Sequence, residues 1–172
     1  PYYCVVGHWP VTLYRTGRPC CEPLVCRDRK IISIDGGCVL QADGQLNALI
    51  LPPKGEDITW CSYDDLPVRR ALDSQAESAD PFTISWSDHA VEVLERGEEF
   101  SLCRHRSTGR EMWVLTKYLR CREGQWWCLD STGYRLPVTP GDLLSVVEET
   151  SRGSLVKKNG STGWYLGRLA TP

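Results

Sequence analysis

At 172 residues, with 20 Lys or Arg against 22 Asp or Glu and a formal net charge of −2, the chain is long enough for one large or two small cored domains. It lacks the concentrated positive charge that makes nucleic-acid binding a main task. Hydrophobic residues make up 41% of the chain, yet no uninterrupted apolar run is long enough to span a bilayer, so no membrane partner is expected.

Nine cysteines cannot all pair with one another, and Arg15 and Arg18 interrupt the first apolar material before any signal-type core can form. Free thiols in a cytoplasmic or nuclear protein are therefore the expectation.

In chain order, YYCVVGHWPVTLY (residues 2–14) reads as two short strands, or a strand and an edge segment, because Pro10 cannot donate to a ladder. The turn RTGRPCCEP follows. LVCRDRKIISIDGGCVLQADGQLNALILPP then reads as three strands, with tight turns near Asp35 and Asp43 that favour positive φ.

The spacing predicts a helix over Ser62–Ala79. Ser62 and Asp65 stand at capping-box spacing, Pro67 fits a first turn, and Val68, Ala71, Leu72, Gln75, Ala76 and Ala79 recur at helical intervals. Pro81 ends it. These elements suggest a cysteine-rich β unit over 1–61, a connecting helix over 62–81 and a second β unit, single or tandem, over 82–172. A single α+β arrangement around the helix is the other solution.

Beyond Pro81 a pattern recurs. VEVLERGEEFSLCRH reaches MWVLTKYL through STGRE, and LPVTPGDLLSVVEET reaches GWYLGRLA through KKNGST. Short Val-, Leu- and Trp-rich runs divided by Gly-containing turns read as strands of small antiparallel barrels or sandwiches. Mostly β is thus the expected fold class.

Gly97, Glu98 and Glu99 before an apolar strand, then Trp126–Trp127, then Gly133 and Pro137, resemble the layout of an SH3-like barrel. Gly141–Asp142 with Asn159–Gly160 and Trp164–Tyr165 form a second, poorer match. Strands such as LLSVVEE on a cysteine-dotted chain resemble, more loosely, the all-β CABIT modules of adaptor proteins. These resemblances imply a protein-interaction module and carry no catalytic residue.

For chemistry, Cys4, His8, Cys20, Cys21 and Cys26 are residue types that ligate zinc, but no CxxC pair supports a metal site. Cys103 and His105 share one strand face, and Ser87, Asp88 and His89 are triad residues adjacent in sequence. Neither pattern makes a nucleophile. No nucleotide-binding loop is present, and no cofactor is expected.

The aromatics Trp126, Trp127, Tyr134, Trp164 and Tyr165 exceed what one small barrel core buries. Strand alternation sends one member of each adjacent pair inward and the other outward. The outward rings would bind a peptide or protein surface, with Glu98 and Glu99, and also Glu148 and Glu149, steering a basic neighbour.

The sequence therefore points to a non-catalytic protein-interaction module, an intracellular adaptor or regulator, with a viral modulator of host signalling giving the same picture. A thiol- or zinc-dependent enzyme and a reader of a modified protein tail are the alternatives. Short strands with open edges leave homo-oligomers open.

Overall fold

The computed structural model describes residues 2–15, 17–53 and 56–171. The expected turn at RTGRPCCEP includes Thr16, which lies outside the described residues. Within them the chain forms sixteen short strands and two 3₁₀ turns, with no α-helix.

Two small sheets follow from the first half. β1 (Cys4–Val6), β2 (Leu24–Cys26) and β3 (Ile31–Ser33) pair in the order β1-β3-β2, and β1 runs parallel to β3. Past Pro10 the chain turns into a 3₁₀ helix, Val11–Tyr14, in place of a second strand. β4 (Leu46–Ile50) and β5 (Thr59–Tyr63) form a separate hairpin.

Asn47 anchors that hairpin. Its Nδ2 donates to Cys21 O at 2.8 Å and Ile34 O at 2.9 Å, while its Oδ1 accepts from Gln45 Nε2 at 2.8 Å and Ser62 Oγ at 2.7 Å. A buried amide with its donors and acceptors used in this way fixes a local geometry at little cost.

The helix expected over Ser62–Ala79 is absent. Residues 62 and 63 finish β5, and β6 (Val68–Arg70) is an edge strand of the C-terminal sheet, paired with Leu143–Ser145. The backbone N–H groups beyond it find tertiary acceptors: Ala71 on Asp142 O, Leu72 on Arg168 O and Gln75 on Val138 O.

The helical spacing carried mainly Ala and Gln, so it offered little apolar surface to bury. Val68 (57% exposed) and Leu72 (44%) face solvent, while Ala71 is buried. A weak propensity yielded to a ladder already waiting on the neighbouring strand. The segment expected as a connecting helix thus begins in β5 and continues as an edge strand of the C-terminal sheet.

After β7 (Thr83–Ile84) come β8 (Ala90–Arg96), β9 (Phe100–His105), β10 (Glu111–Leu115), a 3₁₀ turn at Thr116–Tyr118, β11 (Leu119–Arg122) and β12 (Gln125–Cys128). β8 to β12 form one antiparallel sheet in the order β10-β9-β8-β12-β11, and β7 pairs with β13 (Ser131–Thr132). Its core joins Ile84, Val91, Cys103, Val114, Leu119 and Cys128.

The chain closes with β14 (Leu143–Thr150), β15 (Gly153–Lys158) and β16 (Ser161–Tyr165), which with β6 give the order β16-β15-β14-β6. Ala71, Tyr134, Leu136, Val138, Leu144, Val146, Val156 and Tyr165 fill its core. Each large side chain fully buried there contributes about 1.5–3 kcal/mol.

The recurrence seen in the sequence is real at the level of hairpins but unequal in strands. After its Gly-acidic turn the first copy has β9 and β10, whereas the second has β14, β15 and β16. Asn159 and Gly160 both take positive φ, as a type I′ hairpin demands. A Cβ on Gly160 would also stand 3.1 Å from Glu22 N and closer still to its side chain.

Among the described residues the sheets are small, mostly antiparallel and open, and none closes into a barrel. Among the same residues no helix is long and apolar enough to cross a membrane.

The contacts between the two halves of the chain include polar backbone bonds and a buried ion pair. Cys21 N donates to Gly160 O at 2.8 Å and Thr162 N to Pro19 O at 3.1 Å. Lys157, only 3% exposed at its side chain, reaches Asp64 Oδ2 at 2.6 Å and donates to Asp43 O at 2.9 Å.

Candidate functional site

Strand alternation distributes the expected aromatic residues. On β12, Trp126 packs against the core around Val91 and Cys103, with the Arg96 guanidinium 5.4 Å from its ring. Trp127 points the other way, its ring centroid 6.4 Å from that of His89.

On β16, Thr162 and Trp164 project to one face while Gly163 and Tyr165 project to the opposite one. Tyr165 is 0% exposed and its hydroxyl donates to Asp73 O at 2.8 Å. Tyr134 is 3% exposed, and its hydroxyl donates to Glu77 Oε1 at 2.5 Å. Burial, reinforced by that carboxylate, pushes its phenol up to about 12. Both tyrosines belong to the C-terminal core and offer no binding surface.

Trp127 and Trp164 meet at a cavity of about 420 Å³ between the two large sheets, in the size range of pockets that hold small ligands or a side chain. Trp86, from the turn after β7, and Trp113, on β10, also line it. Four indoles thus converge from four separate places in the chain.

Trp164 is fixed by its Nε1–H, which donates to Thr132 O at 2.8 Å, and by Phe100, whose ring centroid lies 5.9 Å away. Trp113 is covered on one face by the Arg152 guanidinium at 4.0 Å. Trp86 is 53% exposed and meets Trp9 edge-on at 6.1 Å.

The N-terminal half supplies the remaining wall. Thr12 Oγ1 donates to Gln41 Oε1 at 3.2 Å, and Gln41 Nε2 donates to Asp130 Oδ2 at 3.2 Å, which ties the loop around Leu40–Asp43 across to the end of β12. Partial desolvation against these walls raises the Asp130 carboxyl from its ordinary value, and hydrogen bonds from the Trp86 backbone and Gln41, with the nearby His89, offset part of that effect.

A second cavity, of about 340 Å³, adjoins the first. Leu13, Leu40, Gln41, Trp86 and Asp130 line both, and Trp9 and Pro10 complete the smaller one.

Glu98 and Glu99 lie at the tip of the β8–β9 hairpin, away from the cavity lining. Glu99 accepts hydrogen bonds from the Ser151 hydroxyl and backbone, which hold its carboxyl below the usual glutamate value. Glu148 pairs with Lys117 and Glu149 with Arg69. The carboxylates that reach the cavity are Asp43 and Asp130. Along the chain, the signal for the missed indoles was the count of seven tryptophans, several outside the expected pairs.

The residues considered for catalysis are otherwise engaged. Burial raises the thiols of Cys103 and Cys128 to about 11 and that of Cys21 to about 12, so none is a thiolate at neutral pH. His105 is 2% exposed; its Nε2–H donates to Asp88 O at 2.9 Å and its Nδ1 accepts from Thr108 Oγ1 at 2.9 Å.

Ser107 Oγ donates to Asp88 Oδ2 at 2.6 Å. Serine, histidine and aspartate therefore meet here to tie two turns together, and the hydroxyl proton faces a carboxylate and not the imidazole. His89 turns its Nδ1 to the Trp86 carbonyl. Among the described residues no three His, Cys, Asp or Glu side chains, Cys4, His8, Cys20, Cys21 and Cys26 included, gather as a metal site would require.

Searches against protein-family models, curated proteins and solved structures find no match for the chain.

Proposed function

We propose that the chain is a non-catalytic binding module that takes a protruding side chain of a protein or peptide partner into the cavity between its two large sheets. The observation that carries this reading is the convergence of Trp86, Trp113, Trp127 and Trp164 on one cavity of about 420 Å³. Aromatic side chains concentrated in a concave, partly open site supply contact area at low entropic cost, as interface hot spots do.

The adjoining cavity under Trp9 and Pro10 lengthens the surface into a groove, which suits an extended segment with two anchors. An adaptor or regulatory role accords with this arrangement, since recognition needs no group in an unusual ionisation state.

The test is affinity capture from cell extract with the intact chain and with Trp127→Ala, after both have been shown to fold by circular dichroism and thermal melting. A partner retained by the first and lost by the second is the expected result. Equal capture by two folded proteins sinks the proposal.

A further inference from the structure

The two cavities meet at Asp130. Its carboxylate accepts from Gln41 Nε2, a neutral donor, and among the described residues no lysine or arginine forms a salt bridge with it. Asp43 lines the larger cavity; the Lys157 ammonium reaches its backbone carbonyl, and among the described residues its carboxylate forms no salt bridge. Among the described residues Arg15 is the one arginine on that lining; its Nη2 donates to Glu22 O at 3.2 Å, and it takes no part in the smaller cavity.

The indoles around Asp130 are also open to a cation. Arg96 and Arg152 already stand over Trp126 and Trp113, whereas among the described residues no lysine or arginine stands over Trp9, Trp86 or Trp127. An indole face attracts a positive charge through its quadrupole, and a carboxylate beside it without a lysine or arginine partner adds Coulombic attraction to the same point.

Resting on the binding-module reading, we propose that the group received between Trp86, Trp127 and Asp130 is a cationic side chain of a protein partner, an arginine or a lysine, free or methylated. A purely apolar side chain would fill the same space but would take Asp130 out of water and leave its charge unanswered. Charge complementarity therefore selects the occupant.

The experiment titrates the full chain, labelled with nitrogen-15, with capped peptides Gly-Gly-X-Gly-Gly in which X is lysine, trimethyl-lysine, arginine or norleucine, and follows the indole Nε1–H signals. Norleucine has the carbon chain of lysine without its charge. At least one cationic peptide is expected to shift the Trp86 and Trp127 signals and to bind about tenfold more tightly than the norleucine peptide. The order among the three cations identifies which side chain the site takes.

Asp130→Asn is expected to remove most of that preference while leaving norleucine binding unchanged, and Asp43→Asn to reduce it less. If norleucine binds as tightly as every cation, the cation inference fails and the binding module stands. If no peptide moves any indole signal of the folded protein, both fail. A preference that survives Asp130→Asn and Asp43→Asn overturns the assignment to these carboxylates.

Discussion

Trp164 and Tyr165 are neighbours in sequence and belong to different economies of the molecule. Tyr165 is wholly buried, its hydroxyl engaged with Asp73 O, and a Cβ at Gly167 would collide with its ring. Trp164 is fixed by one hydrogen bond and turns a partly exposed ring to a cavity. A strand alternates its side chains between two faces, so one aromatic residue can build the core while the next furnishes a site. The same division separates Trp126 from Trp127. Aromatic content therefore says little about binding until each ring has been placed on a face.

Several substitutions can break or sharpen that contrast. Tyr165→Ala should be the most damaging, costing about 3–5 kcal/mol in denaturant unfolding, because it empties a filled core and leaves the groups around Asp73 unpaired. Cutting the buried pair that links the two halves, by Asp64→Ala, should cost about 3–5 kcal/mol at its upper end, since Lys157 would remain buried without a counter-charge. Loss of less than about 1 kcal/mol there would mean that the ammonium reaches water in the variant.

Trp127→Ala should cost less than either, with partner capture and not the unfolding midpoint as the property that changes. A loss in stability as large as that of Tyr165→Ala would place Trp127 with the core and end the distinction.

Asp130→Asn should raise stability at neutral pH. The folded protein holds this carboxyl above its ordinary pKa, so its ionised form opposes folding; the gain should be present above the folded pKa and vanish as the pH falls below the unfolded value of 3.8. A destabilised Asp130→Asn at pH 7 would contradict the raised carboxyl of Asp130.

The smallest expected effect concerns Asp73. Hydrogen bonds from Arg168 hold its carboxyl near 2 from an ordinary 3.8. Its contribution is therefore present above the unfolded value and lost as the pH falls towards 2, and Arg168→Ala should return the Asp73 titration, followed by NMR, towards 3.8. The pair is exposed, so the midpoint of unfolding at neutral pH should scarcely move.

Much of the architecture was legible along the chain. Val-, Leu- and Trp-rich runs divided by Gly turns marked the strands from Ala90 onward, and the Asn159–Gly160 turn carries the positive φ its sequence requires. The apparent helix over Ser62–Ala79 was misread because helical spacing is a local signal. The acceptors that drew Ala71, Leu72 and Gln75 into an extended path belong to Asp142, Arg168 and Val138, some 60 to 100 residues away. The resemblance to a barrel captured the strand-rich sequence but not a closed sheet.

For the site, the splitting of each adjacent aromatic pair was legible, because alternation is a property of the strand itself; that Trp127 and Trp164 are the members facing the cavity was not. Trp86, Trp113 and Asp130 were not, because nothing in their own neighbourhoods announces that they face a common space. Glu98 and Glu99 drew attention as an acidic turn, yet Glu99 bonds to Ser151 at the tip of a different hairpin.

The sequence by itself determined a mostly β chain, its principal turns, and the splitting of adjacent aromatics between two faces, since these follow from backbone geometry and side-chain period over a few residues. Only the tertiary structure decided which faces meet, which tyrosines are buried, and which carboxylate lies among the indoles. Those outcomes depend on the packing of segments far apart in sequence, where hydrogen-bond satisfaction and burial choose among strand partners that local pattern leaves equivalent.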